Sequence, residues 1–223
     1  IYHTSELADL GIIGSVADDT AAVYLQNAEG KDVLKITNVP TAALNITIGG
    51  EGNNEIICDD ASYTGNFTVL SGTILKQTGN DMAGEGYDAA PDRTITVQDS
   101  ATFDINGNEA YYHIVLEKGA TLTNTGAAVS HTGRNLALVE LDGDATVNTD
   151  TRMGVVGGGY AAAELHLNGN TLTKTGSGTF HLNNCTTDAG TIRIVAGDVE
   201  LLEHQGPQKT NVSATTFEVA TST

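Results

Sequence analysis

The chain has 223 residues, 28 acidic and 10 basic side chains, a formal net charge of -18, 26 glycines, no tryptophan and two cysteines. A field of that sign repels phosphate backbones and anionic bilayers, which argues against nucleic acid and lipid surfaces as partners, and against acidic polysaccharides unless a cation bridges the two. Neutral glycans, proteins and metal ions remain, and no run of about 18 apolar residues is present to insert into a membrane.

Residues 1–20 read as an N-terminal cap. Ser5-ELADL-Gly11 offers an N-cap serine, an acidic first turn and a terminating glycine, which predicts one short helix. Ile1 is not an initiator residue, which predicts a processed or excised piece of a larger secreted multidomain protein. From residue 22 the chain alternates short apolar runs with turn residues: 22–26, 33–36, 44–48, 55–58, 67–70 and 73–76. A turn-rich stretch over 77–92 reads as a loop. The runs resume at 94–97, 102–105, 113–116, 121–123, 136–141, 145–147, 164–167, 171–173, 179–182, 191–195 and 199–202. Most alternate apolar and polar residues with period two, so each is a strand with one face inward. The tail, 203–223, holds one more strand in TFEV and is otherwise linker-like.

One phrase organises these runs: an aliphatic residue, a short turn that usually carries Gly, and a second aliphatic residue. It occurs at Leu70–Ile74, Val97–Phe103, Leu116–Leu122, Leu141–Val147, Leu167–Leu172 and Val195–Val199, with first members 27, 19, 25, 26 and 28 residues apart. A unit of that length cannot bury its apolar face alone and must stack on its neighbours. The expectation is an all-β, single-stranded right-handed parallel β-helix over 21–202, of about seven to nine three-sided coils cored by Val, Ile and Leu ladders.

Within that frame, residues 171–201 (TLTKTGSGTFHLNNCTTDAGTIRIVAGDVEL) resemble the autotransporter-associated β-strand repeat of bacterial surface proteins. Leu172, Thr173, Lys174, Gly176, Gly178, Thr179, Leu182, Gly190, Thr191 and Gly197 fall into its leucine-threonine-lysine-x-glycine-x-glycine phrase and the strands that follow. Residues 114–170 match loosely, and the likeness fades upstream of residue 60. The resemblance implies a parallel β-helix and an extracellular or cell-surface bacterial setting. β-Helices of this kind include adhesins, pectin-degrading enzymes and carbohydrate-binding modules, so it implies no single chemistry.

The candidate site is a row of tyrosines. Tyr63, Tyr87, Tyr111 and Tyr160 are 24, 24 and 49 residues apart, about one, one and two coils, with Arg134 at the vacant level and Tyr112 as an alternative to Tyr111. Residues in register stack on one wall at about 4.8 Å per coil, and a row of phenol rings with nearby acceptors suits sugar rings. The competing reading has the same rings covering corners of the core. His113, His166 and His181 alternate with aliphatic residues and are expected to point outward. Cys58 and Cys185 are expected to lie about 24 Å apart, too far for a disulfide, and to be buried thiols. No cofactor is expected; a structural calcium ion could sit at Asp59–Asp60 or Asp142/Asp144.

Catalysis finds little support. Asn148-Thr149-Asp150 matches the first element of β-helical pectin hydrolases, but their Asp-Asp pair and Gly-His-Gly are missing in order, and Arg193-Ile194 is followed by Val195. The function expected is a non-catalytic extracellular module for a neutral polysaccharide such as xylan. A structural or adhesin segment of an autotransporter-like surface protein, and a polysaccharide lyase or hydrolase, are the alternatives.

Overall fold

The computed structural model describes residues 13–15, 22–27, 32–36, 45–50, 53–58, 66–77, 93–130, 135–158, 162–203 and 209–220. Among these residues the chain forms strands and no helix. In chain order they are β1 (Ile13–Ser15), β2 (Ala22–Asn27), β3 (Asp32–Ile36), β4 (Asn45–Gly50), β5 (Asn53–Cys58), β6 (Phe67–Val69) and β7 (Ile74–Gln77). Then come β8 (Thr94–Val97), β9 (Thr102–Asp104), β10 (Ala110–Glu117), β11 (Thr121–Asn124), β12 (Leu136–Asp142), β13 (Ala145–Thr149) and β14 (Arg152–Val156). The last seven are β15 (Ala163–His166), β16 (Thr171–Thr175), β17 (Thr179–Asn183), β18 (Cys185–Thr187), β19 (Gly190–Ile194), β20 (Asp198–Leu202) and β21 (Thr215–Val219). The helix expected at Ser5–Gly11 lies outside the described residues, as do 78–92 of the expected loop.

The strands build two parallel sheets, and from β2 to β13 the chain alternates between them. The larger runs β1-β2-β4-β6-β8-β10-β12-β14-β17-β20, with β15 and β18 beside it; the smaller runs β21-β19-β16-β13-β11-β9-β7-β5-β3. Among the described residues only β1 runs antiparallel, against β2. At β12 the larger sheet divides, since its start pairs with β14 and its middle with β15. The repeats β13–β15 and β16–β18 therefore carry three strands where the earlier described repeats carry two.

Parallel pairing sets inward residues of successive repeats over one another. Ile48, Val69, Val97, Leu116 and Leu141 form one ladder, every member fully buried. Phe67, Ile95, Ile114, Val139 and Leu165 form a second. Leu75, Phe103, Leu122 and Val147 form a third across the smaller sheet. Both sheets thus contribute to one buried apolar cluster, each large aliphatic side chain contributing about 1.5–3 kcal/mol by leaving water.

Corners repeat as well. The amides of Thr73, Ala101, Ala120 and Asn170 each donate to the carbonyl three residues earlier, closing the same tight turn at four levels. Such turns place their third residue in the left-handed region, which is why Gly72, Ser100, Gly119 and Gly169 stand there with φ of 74, 60, 83 and 79°. That requirement is the physical content of the Gly-bearing turn in the repeated phrase.

Candidate binding face

β10 begins with an irregularity that sorts the two tyrosines. Its pairing to β12 shifts between Ala110 and His113, so two residues on β10 face one on β12, as in a β-bulge. Tyr112 turns inward and is 1% exposed, its ring tilted against Phe67 at a centroid distance of 5.7 Å. The Arg93 guanidinium carbon lies 5.7 Å from the centre of the same ring, within cation–π range. Tyr112 is therefore a core residue, and the idea that it could serve in an outer row is corrected by burial. Tyr111 lies on the outer side, half-buried, its hydroxyl donating to the Glu109 carboxylate. Tyr63, Tyr87, Arg134 and Tyr160 lie outside the described residues.

Next to Tyr111 the outer wall of the larger sheet carries a polar network whose members come from four successive repeats. His113 on β10 meets Glu140 on β12 at 2.7 Å between Nε2 and Oε2, and the other oxygen of Glu140 accepts from Asn168 Nδ2 at 3.1 Å. Glu140 is in register with His166 on β15. His166 is held at both ring nitrogens, by Glu164 at 2.8 Å and Asp188 at 3.3 Å. Asp188 is itself fixed, accepting the amides of Leu167 at 2.6 Å and Asn168 at 3.1 Å.

This arrangement favours the charged imidazole. Partial burial is the largest single influence and pulls the His166 pKa down, but hydrogen bonds and charge from Glu164 and Asp188 together outweigh it and leave the pKa raised. In that charged form both nitrogens donate to carboxylates, and the ring has no lone pair to offer a metal. Among the described residues no three His, Cys, Asp or Glu side chains form a group able to hold a metal ion. Asp144 accepts the Thr171 amide at 2.7 Å, while Asp59 and Asp60 lie outside the described residues.

The expected outward direction holds for His113 and His166 and fails for His181, which is fully buried. Its register partner is Gly154, and a Cβ on that glycine would come within 2.7 and 2.8 Å of ring carbons of His181. The imidazole lies in space that a missing side chain leaves. Cys185 is a free buried thiol whose pKa burial pushes well up, so it is unreactive.

The motif Asn148-Thr149-Asp150 runs from the end of β13 into the corner that follows it. Thr149 is buried, and Asp150 accepts the amide of Ser177 at 2.8 Å and its hydroxyl at 3.1 Å, which lowers the carboxyl pKa. Glu140, Glu164, Asn168 and Asp188 were not singled out by sequence reasoning. Their signal was the repeat itself: His113 to Glu140 is 27 residues, Glu140 to His166 is 26, and His166 to Asp188 is 22.

No protein-family model matches the chain, and neither curated proteins nor solved structures give a significant match.

Proposed function

We propose that the chain winds as a single-stranded right-handed parallel β-helix whose outer wall is a non-catalytic binding face for a neutral polysaccharide, within a secreted or cell-surface bacterial protein. The observation that carries this reading is Tyr111: a half-buried ring on the outer side of β10, pinned through its hydroxyl by Glu109, one step along the strand from the His113–Glu140 pair. A ring held in place loses little entropy when a sugar stacks on it, and fixed donors and acceptors beside it suit sugar hydroxyls. Successive parallel strands repeat such positions at about 4.8 Å, close to the length of one sugar in an extended glycan. The acidic surface favours an uncharged ligand over an anionic one.

The test is calorimetry or affinity electrophoresis of the chain against xylan, glucan and mannan. Tyr111→Ala and Tyr160→Ala should each weaken binding at least about tenfold, the loss of one stacking contact with its polar tip. Full-strength binding in both variants removes the tyrosine row, and the absence of binding to every neutral glycan removes the reading itself.

A further inference from the structure

Among the described residues the smaller sheet holds one register from β7 to β19, whereas the larger one is interrupted by the β10 bulge and the fork at β12. Its outward side chains repeat accordingly. Thr102, Thr121, Thr146 and Thr173 are successive register partners, each half-buried, so four threonines line up across three strand spacings, about 14 Å. Thr123, on the same face, spends its hydroxyl on the Asn148 carbonyl at 2.6 Å. The hydroxyls of the four in line make no hydrogen bond to another described residue.

Charge avoids this face. Every outward position of β11, β13 and β16 is Thr or Asn, in a chain with 28 acidic side chains. An anionic or cationic ligand would find no counter-charge there, and a sugar would find no aromatic ring to stack on. What the face offers is a straight file of hydroxyls at about 4.8 Å, with methyl groups between them. Tetrahedrally bonded water has nearly the same period: with O···O about 2.8 Å, two oxygens bonded to a common neighbour lie about 4.6 Å apart. Each hydroxyl donates and accepts as a water does. Branching at Cβ makes threonine stiff at χ1, so the file is ordered before anything binds and loses little entropy on binding.

We infer that the outer face of the smaller sheet, centred on Thr121 and Thr146, is an ice-binding surface, its hydroxyls standing in for one row of waters in the crystal. This face belongs to the other sheet from Tyr111 and does not depend on what that wall binds.

The probe is ice itself. Seed crystals in a solution of the full chain should become faceted, with a gap between melting and freezing points. Thr121→Lys and Thr146→Lys each set a long charged side chain in the file and should cut that gap several-fold, with the urea-unfolding midpoint unchanged. Thr186→Lys, at an exposed threonine on β18 of the larger sheet, should leave the gap at its full size. Should the two variants in the file fail to fold, partition of the labelled parent chain at a growing ice front decides: enrichment in the ice supports the inference and exclusion overturns it. Rounded crystals with no gap, a gap that survives both variants, or an equal loss in Thr186→Lys would also overturn it. So would adsorption to crystalline cellulose that Thr146→Lys abolishes, which would give the face to a glycan.

Discussion

Lys174 pairs in register with Val147, and its side chain stands in the ladder that Leu122 and Val147 build through the smaller sheet. Its ammonium is fully buried and donates to three backbone carbonyls, those of Thr175 at 2.5 Å, Gly176 at 2.9 Å and Ala196 at 3.2 Å. The first two belong to its own corner and the third to the corner of the following repeat. Lysine in the Thr-Lys-x-Gly-x-Gly phrase is thus a clamp between successive turns.

Removing the clamp should destabilise the fold in two separable steps. Lys174→Met keeps most of the stem and loses the donor, and should cost about 1–3 kcal/mol. Lys174→Ala also opens a cavity and should cost about 2–4 kcal/mol. Urea unfolding measures both, and a Met variant as stable as the parent would show that the three carbonyl contacts contribute nothing net. Burial lowers the Lys174 pKa, while Asp150 and Asp198 oppose that shift. The unfolded chain then binds more protons than the folded one between the lowered value and the ordinary lysine value, so this group makes stability rise with pH across that window. The rise should be absent in Lys174→Met.

Two glycines of the corners should respond differently to alanine. A Cβ on Gly178 would lie 1.8 Å from the Thr151 carbonyl oxygen of the preceding repeat, so Gly178→Ala must push two repeats apart and should cost about 3 kcal/mol or more. Gly72 has open space around it but a φ of 74°, so Gly72→Ala meets only backbone strain of about 1–2 kcal/mol. Thermal unfolding ranks the pair; equal losses would contradict the close approach at Gly178.

The adjacent tyrosines should separate in the same assay. Tyr112→Ala removes a core ring and should cost about 3–5 kcal/mol, whereas Tyr111→Ala should change stability by no more than about 1 kcal/mol. The reverse order would mean that the bulge in β10 assigns the rings wrongly.

His166 gives a pH signature of opposite slope to Lys174. Its pKa is raised on folding, so its contribution is complete at low pH, below the ordinary histidine value, and is lost as pH climbs through the raised folded value. Stability of the parent chain relative to His166→Gln should therefore fall as pH rises above the ordinary histidine value of 6.5. A difference that is flat with pH would mean that Glu164 and Asp188 do not favour the imidazolium.

Much of the parallel architecture was legible because a strand has only two faces. The residues Val97, Leu116 and Leu141, and likewise Phe103, Leu122 and Val147, occupy the ladders that their phrase positions imply. Slips occur where turn length changes. Val69 and Leu75 take the interior places read for Leu70 and Ile74, and Leu172 lies over Ala145 instead of Val147, which leaves the Val147 rung to Lys174. Nothing in the composition of the Lys-bearing segment distinguishes an inward ammonium from an outward one; only carbonyls arriving from the next repeat do. His181 was misjudged for a similar reason, since parity gives its face but not the empty place beside Gly154. The Glu140–His166–Asp188 network was hidden because its members come from separate repeats, each ordinary in its own strand.

Residues one repeat apart are lateral neighbours on a single wall, and a distance measured along that wall tests this arrangement. Thr94, His113, Leu138, Glu164 and Thr186 are successive register partners, so four strand spacings separate Thr94 from Thr186, 92 residues later in sequence. Spin labels at Thr94→Cys and Thr186→Cys, with Cys58 and Cys185 replaced by alanine, should give one narrow distribution centred near about 19 Å. A centre beyond about 35 Å, or a distribution spread across that whole range, would contradict the stacked arrangement.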